Sequence, residues 1–125
     1  MQVPGFLARR FYVAGSLRNT TDGFQLQAQN PMGAGTLVGI GRLSVDDQVI
    51  PTESVTAVRD GDPTPMHAKD VSPRAPIRVA VGDRVTLFIA GRTLAPGRHR
   101  LDVELYEVNM GRLRFSISDD LASGS

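Results

Sequence analysis

The side chains able to do acid–base or metal chemistry are few and scattered. His67 and His99 are the only histidines, and cysteine is absent. No H-x-H or H-E-x-x-H spacing exists, so no metal ligand set is legible. Asp60-Gly61-Asp62 lacks the further acidic ligands that a calcium loop requires. Glu53, Glu104 and Glu107 are isolated, and the last two sit at wet positions of an expected strand, which leaves no acid–base pair. Asp119-Asp120 reads as a solvated tail. Gly33-Ala34-Gly35 is too short for a phosphate loop, and no helix is expected after it. No serine has a nucleophile-elbow context. His99, in Pro96-Gly97-Arg98-His99, starts a strand after a turn, where it packs or hydrogen-bonds at a sandwich edge. His67 lies in a freer segment.

The elements that must position these groups show a period of two. Phe24, Leu26 and Ala28 alternate with glutamines. Ile77, Val79 and Val81 follow the same rule, as do Val85, Leu87 and Ile89, then Leu101, Val103 and Leu105, then Leu113, Phe115 and Ile117. One dry and one wet face predicts antiparallel strands. Gly82-Asp83 and Asp46-Asp47 are spaced as hairpin turns, and Pro96-Gly97 suits a type II turn. No segment carries helical spacing over three turns. The pattern predicts a single all-β domain, an antiparallel two-sheet β-sandwich of about eight short strands. They fall near 9–18, 23–29, 36–45, 48–50, 54–59, 77–81, 84–91 and 99–118. Residues 1–8 form an N-terminal arm, 9–120 the sandwich and 121–125 a flexible C-terminal end.

Two irregular stretches stand out. Residues 60–76 hold four of the eight prolines, with Met66 and His67 among them. Residues 30–36 carry Pro31, Met32 and two glycines. After Leu105 the apolar positions become Tyr106, Val108 and Met110. That phase change reads either as a bulge near Leu105-Tyr106 or as an outer face covered by a partner. The candidate interface or site-flanking residues are therefore Pro31, Met32, Met66, His67, Tyr106, Val108 and Met110, with no catalytic residue and no metal ligand.

Composition limits the function classes. The 125 residues suit one domain with its own core. Net charge is +1, and thirteen of the fourteen basic residues are arginines spread along the chain, so no nucleic-acid stripe exists. No apolar run approaches a membrane span, no secretory signal is expected, and the lack of cysteine fits the cytoplasm.

Three segments in order carry a resemblance: Arg18 to Leu26 with Asp22-Gly23-Phe24, Leu43 to Pro51, and Leu94 to Val103 with Pro96-Gly97-Arg98-His99. Together they resemble the small (beta) subunit of bacterial C-glycoside deglycosidases, over residues 9–120. The resemblance implies a β-sandwich lyase subunit, inactive alone, that supports the active site of a larger TIM-barrel alpha subunit in a hetero-oligomer. That partner would carry a divalent metal, typically manganese, and cleave the carbon–carbon bond of 3-oxo-C-glycosides such as flavonoid C-glycosides. No cofactor is expected in this chain. Two other readings stand beside it. One is a free-standing immunoglobulin-like binding module. The other is a small enzyme using His67 with Asp60, Asp62 or Asp70.

Overall fold

A computed structural model describes residues 1–122. A short helix α1 (Gly5–Phe11) precedes ten strands: β1 (Arg18–Asn19), β2 (Gly23–Gln29), β3 (Gly35–Val45), β4 (Gln48–Ile50), β5 (Val55–Arg59), β6 (Asp62–His67), β7 (Ile77–Val79), β8 (Arg84–Ala90), β9 (Arg98–Glu107) and β10 (Gly111–Asp120). One sheet runs β1-β2-β8-β5-β6. The other runs β10-β9-β3-β4, with β7 also paired to β3. Every strand pairing is antiparallel. The two sheets face each other as the sandwich that period-two patterning predicts. Phe24, Leu26, Val85, Leu87 and Ile89 project inward from the first sheet, and Leu43, Val45 and Leu101 meet them from the second.

The turn chemistry explains the β3–β4 hairpin. Asp46 and Asp47 both hold positive φ, 51° and 67°. A two-residue turn of this kind matches the right-handed twist of its strands, and aspartate tolerates that backbone region. Gly82-Asp83 behaves differently. It joins β7, which pairs with β3, to β8, which pairs with β2 and β5. The turn therefore hands the chain from one sheet to the other and forms no hairpin. Val81, expected inside, is exposed at that crossing.

Three further expectations need correction. The first strand was expected near 9–18, but the chain there is α1, an isolated bridge from Tyr12 to Ala28, and the two-residue β1. The helix is seven residues long, too short for a three-turn pattern to appear. It is held by Leu7, Ala8 and Phe11, which pack on Leu113 and Phe115 of β10 as a second small core. The Phe11 and Phe115 rings stand 5.4 Å apart and tilted, a favourable aromatic geometry. Residues 1–3 lie along β10: the Met1 ammonium donates to the Arg112 carbonyl and Val3 N–H to the Arg114 carbonyl. They cover part of an otherwise open sheet edge.

Second, the irregular segment 60–76 contains β6, whose Met66 and His67 pair with Ala57 and Thr56. Proline does not forbid a strand at a sheet edge, where the missing N–H has no partner to lose. Third, β9 keeps strict alternation to its end and pairs with β10 without a slip. The irregularities lie on β3, between Leu37 and Gly39 and between Ile40 and Leu43. Glu107 thus takes the inward position, while Tyr106 and Val108 point outward.

Asp119 is no solvated tail residue. It accepts hydrogen bonds from the Tyr12 hydroxyl at 2.6 Å and the Gly15 N–H at 2.9 Å. Burial, and then this carboxylate, push the Tyr12 phenol well above its ordinary pKa. Leu121 and Ala122 donate backbone hydrogen bonds to Gly97 and Leu17, which ties this part of the expected C-terminal end to the sandwich. Residues 123–125 of that end lie outside the described residues.

His99 ties the turn before β9 to the β3–β4 turn. Its Nδ1 lies 2.7 Å from Asp46 Oδ2 and its Nε2 lies 2.7 Å from the Ala95 carbonyl. Both neighbours accept, so the doubly protonated ring satisfies both. The Ala95 carbonyl first, and Asp46 second, raise the His99 pKa above 6.5. The Arg100 N–H first, and His99 second, lower that of Asp46 below 3.8. The histidine's stabilisation is complete below its unfolded value and is lost as pH rises through the higher folded one. That of Asp46 is present above its unfolded value and is lost as pH falls through the lower folded one. The pair is therefore strongest between the two ordinary values. The melting-temperature deficit of His99→Ala is expected to be largest there and to shrink at alkaline pH. A deficit that stays constant from about pH 5 to about pH 9 would mean that His99 contributes packing alone.

Candidate functional site: an apolar cavity between the sheets

The two sheets do not close on each other along their whole length. Between them lies a cavity of about 360 Å³. Leu26, Val85, Leu87 and Leu101 form its buried wall, while Leu37, Val103 and Leu105 face it and are only partly buried for that reason. Alternation alone would have placed Val103 and Leu105 in a dry interface. Their partial exposure measures how far the second sheet stands off.

The opening is built from the loop before β3 and the hairpin between β9 and β10. Met32 and Met110 line it and stay 51% and 59% exposed, so the two thioethers form adaptable lips. Asn30 fixes the first loop. Its Nδ2 donates to the carbonyls of Gly33 and Val79, both at 3.0 Å, and its Oδ1 accepts from Met32 N–H at 3.1 Å. Glu107 fixes the second. Its carboxylate accepts from the N–H groups of Thr36, Asn109 and Met110 at 3.0, 2.8 and 2.9 Å. The Thr36 N–H leads the causes that lower the Glu107 pKa, so the group is a charged clamp on its own loop. Asp83, also at the cavity, accepts from Ala80 N–H and from the Arg59 guanidinium.

The expected site residues divide into three places. Met32 and Met110 come together at the cavity, with Pro31 in the same loop as Met32. Tyr106 and Val108 lie on the outer side; the Tyr106 hydroxyl donates to Glu104, which also receives Arg112. Met66 packs partly against the main core and His67 is exposed, both on the edge strand β6. Asn30 and Glu107 were missed as site residues. Asn30 precedes Pro31 in a Pro/Gly loop, the usual place for an asparagine that bonds its own turn, so that signal was present. Nothing in the sequence marked Glu107 as inward-facing.

No group of three or more histidine, aspartate or glutamate side chains that could hold a metal exists among the described residues. Gly35 opens a strand, so the Gly33-Ala34-Gly35 turn presents no helix terminus to a phosphate. Among the described residues no helix is long and apolar enough to cross a membrane.

A family model described as hydroxymethylglutaryl-CoA reductase, N-terminal domain, matches residues 7–122. No curated protein sequence matches the chain. The family match overturns the resemblance to the C-glycoside deglycosidase small subunit. With it go the carbon–carbon lyase activity, the TIM-barrel partner and the 3-oxo-C-glycoside substrate. The free-standing immunoglobulin-like module gains no support from the match either. The three segments behind the resemblance have a structural reason to occur together. Asn19 exchanges hydrogen bonds with Leu94 through its amide, at 3.0 and 2.8 Å, and Asp46 binds His99. They are turns that close the sandwich on each other, and such closure does not identify a reaction. Because the match spans nearly the entire chain, the chain belongs to the hydroxymethylglutaryl-CoA reductase N-terminal domain family.

Proposed function

We propose that this chain serves an enzyme that reduces hydroxymethylglutaryl-CoA, with the hydride transfer and acid–base chemistry supplied by residues outside these 125. The family match over residues 7–122 is the observation that carries the reading. Reducing a thioester delivers hydride to the acyl carbon and releases the thiol. It needs a hydride donor, a proton donor and a place for the phosphates of CoA. The residues here offer little toward any of these. His99 has both ring nitrogens engaged, and His67 sits exposed on a strand edge away from the cavity lining. The cavity lining holds no basic side chain among the described residues to receive phosphate. The cytoplasm is the compartment proposed with this reading, supported by the cysteine-free sequence.

The test is a thiol-release assay on hydroxymethylglutaryl-CoA supplied with a reduced nicotinamide. The tagged chain is purified from its native cells, and separately from a heterologous host. Activity is expected to co-purify with the first preparation and to be absent from the second. Equal activity in the heterologous preparation would refute the division of labour. No activity in either would refute the reductase reading.

A further inference from the structure

We infer that the inter-sheet cavity is a binding site for one uncharged, hydrocarbon-rich small molecule. The inference does not depend on the reductase reading; it rests on the cavity's size, lining and electrostatics. At about 360 Å³ the cavity falls at the lower end of ligand-pocket volumes, roughly 300 to 1,000 Å³. An apolar cavity of about 150 Å³ accepts benzene, so this one suits a guest of roughly ten to fourteen heavy atoms.

Its walls are apolar on both sheets, with Leu26 and Leu87 facing Val103 and Leu105 across the gap and Phe11 and Phe115 adding aromatic surface. An apolar guest gains the dispersion contacts that the two sheets, held apart, do not make with each other. Three of the polar groups at the opening are already committed. Asn30 uses both its amide donor and its oxygen on backbone, Glu107 accepts three backbone N–H groups, and Asp83 accepts from Ala80 and Arg59. They hold the opening in shape, and the other amides of the lining, Gln29 and Asn109, are neutral groups that suit a small uncharged head such as a hydroxyl. Arg59 offsets the charge of Asp83, but Glu107 has only backbone N–H partners and leaves the opening a negative potential, with no lysine, arginine or histidine in the lining among the described residues. An anion is therefore disfavoured twice, by repulsion and by desolvation without a cationic partner. A fatty carboxylate and the phosphates of CoA are disfavoured on the same ground. The exposed thioethers of Met32 and Met110 give the opening side chains that can adapt to a hydrocarbon.

The test titrates the full chain calorimetrically with 1-decanol and with decanoate at neutral pH, each below its aggregation limit. Binding of decanol at one site per chain is expected, with decanoate weaker by about tenfold or more. Val103→Phe, which projects a ring into the cavity, is expected to weaken decanol by about tenfold or more while the chain still unfolds cooperatively. Should that variant fail to fold, methyl NMR on the unmodified chain replaces it. Decanol is then expected to shift the methyls of Leu26, Leu87, Val103 and Leu105 and to leave Val49 and Val108 unmoved. The inference is overturned by the absence of saturable decanol binding, by equal affinity for decanoate, by unchanged affinity in folded Val103→Phe, or by shifts confined to the outer faces.

Discussion

Phe24→Ala is expected to lower the stability of the domain by about 4 kcal/mol, the middle of the range for deleting a buried aromatic ring. Phe24 is fully buried, and it is the largest fully buried side chain of the core. It sits in β2 directly opposite Ile89 of β8, so its ring is held by a paired strand and by the second sheet. The backbone leaves little room to collapse into the space. Gly23, next to it, passes so close to the Ile89 carbonyl that even a Cβ there would overlap it. The lost ring therefore leaves a hole, and the cavity term adds to the transfer term. Phe88→Ala is the control. Phe88 lies on the neighbouring strand beside Gln25, is 37% exposed on the outer face, and is expected to cost about 1 kcal/mol or less. Urea unfolding of both variants checks the prediction. Equal losses would mean that the inner and outer faces of this sheet are not energetically distinct.

That asymmetry is the part of the molecule most legible in its sequence. Alternation of Phe24, Leu26 and Ala28 with glutamines fixes which face of β2 is dry. The same holds for Val85, Leu87 and Ile89 in β8. Periodicity reports facing, however, and says nothing about which sheet a strand joins. Gly82-Asp83 shows the limit, because a turn between two alternating runs looks the same whether it makes a hairpin or crosses from sheet to sheet. The helix α1 was hidden by its length, since two turns give one apolar face of only Leu7, Ala8 and Phe11. The parity at the end of β9 misled for a different reason. Tyr106 and Val108 are apolar residues on an outer face, and an outward aromatic reads like a slipped register. Gly39 and Gly41 of β3 lie alongside and carry no Cβ, which leaves the bed on which the Tyr106 ring rests. The glycines that accommodate it are about 65 residues earlier, beyond the reach of any local pattern.

The candidate site was legible only in part, and the reason is physical. Met32 and Met110 drew notice as apolar residues in loops, and they do meet at one opening. The cavity behind them is lined mostly by Leu, Val, Ile and Phe residues that look like ordinary core in sequence. Whether two inward faces touch or stand apart depends on what props them at the ends. The two bulges of β3 and the loop held by Asn30 lie at this end of the sandwich, and neither writes itself into hydrophobic periodicity. The resemblance failed on the same principle. Its segments were turn and strand-start residues that bind one another across the sandwich end, so they report closure and are shared by chains with different work to do.

Asn30→Ala is expected to cost about 3 kcal/mol and to disorder the opening before it unfolds the sandwich. One side chain here satisfies three backbone groups: the carbonyls of Gly33 and Val79 and the N–H of Met32. Asn30 is buried, so water reaches those groups poorly when the amide is removed. Each unsatisfied buried group costs roughly 1–3 kcal/mol, and partial solvation at a loop brings the sum toward the lower end. The backbone of Asn30 still bonds the β7–β8 turn on both sides, through Asp83 and Gly82, which confines the damage to residues 31–35. Hydrogen exchange should therefore quicken at the Met32 N–H while the β2 and β8 amides hold, and decanol affinity should fall with the loss of an ordered lip. Asn30→Asp separates donor loss from loss of volume. It keeps the shape and the acceptor for Met32, but sets a carboxylate against two carbonyl oxygens. The folded state then raises the pKa of that carboxyl. A protonated acid can return one O–H donor, so its stabilisation is present below the unfolded aspartate value and is lost as pH rises through the higher folded one. Asn30→Asp should be at least as unstable as Asn30→Ala at neutral pH and should recover toward the wild type on acidification, which the alanine variant cannot do. Parallel pH profiles for the two variants would show that the amide's donors are not what hold the opening.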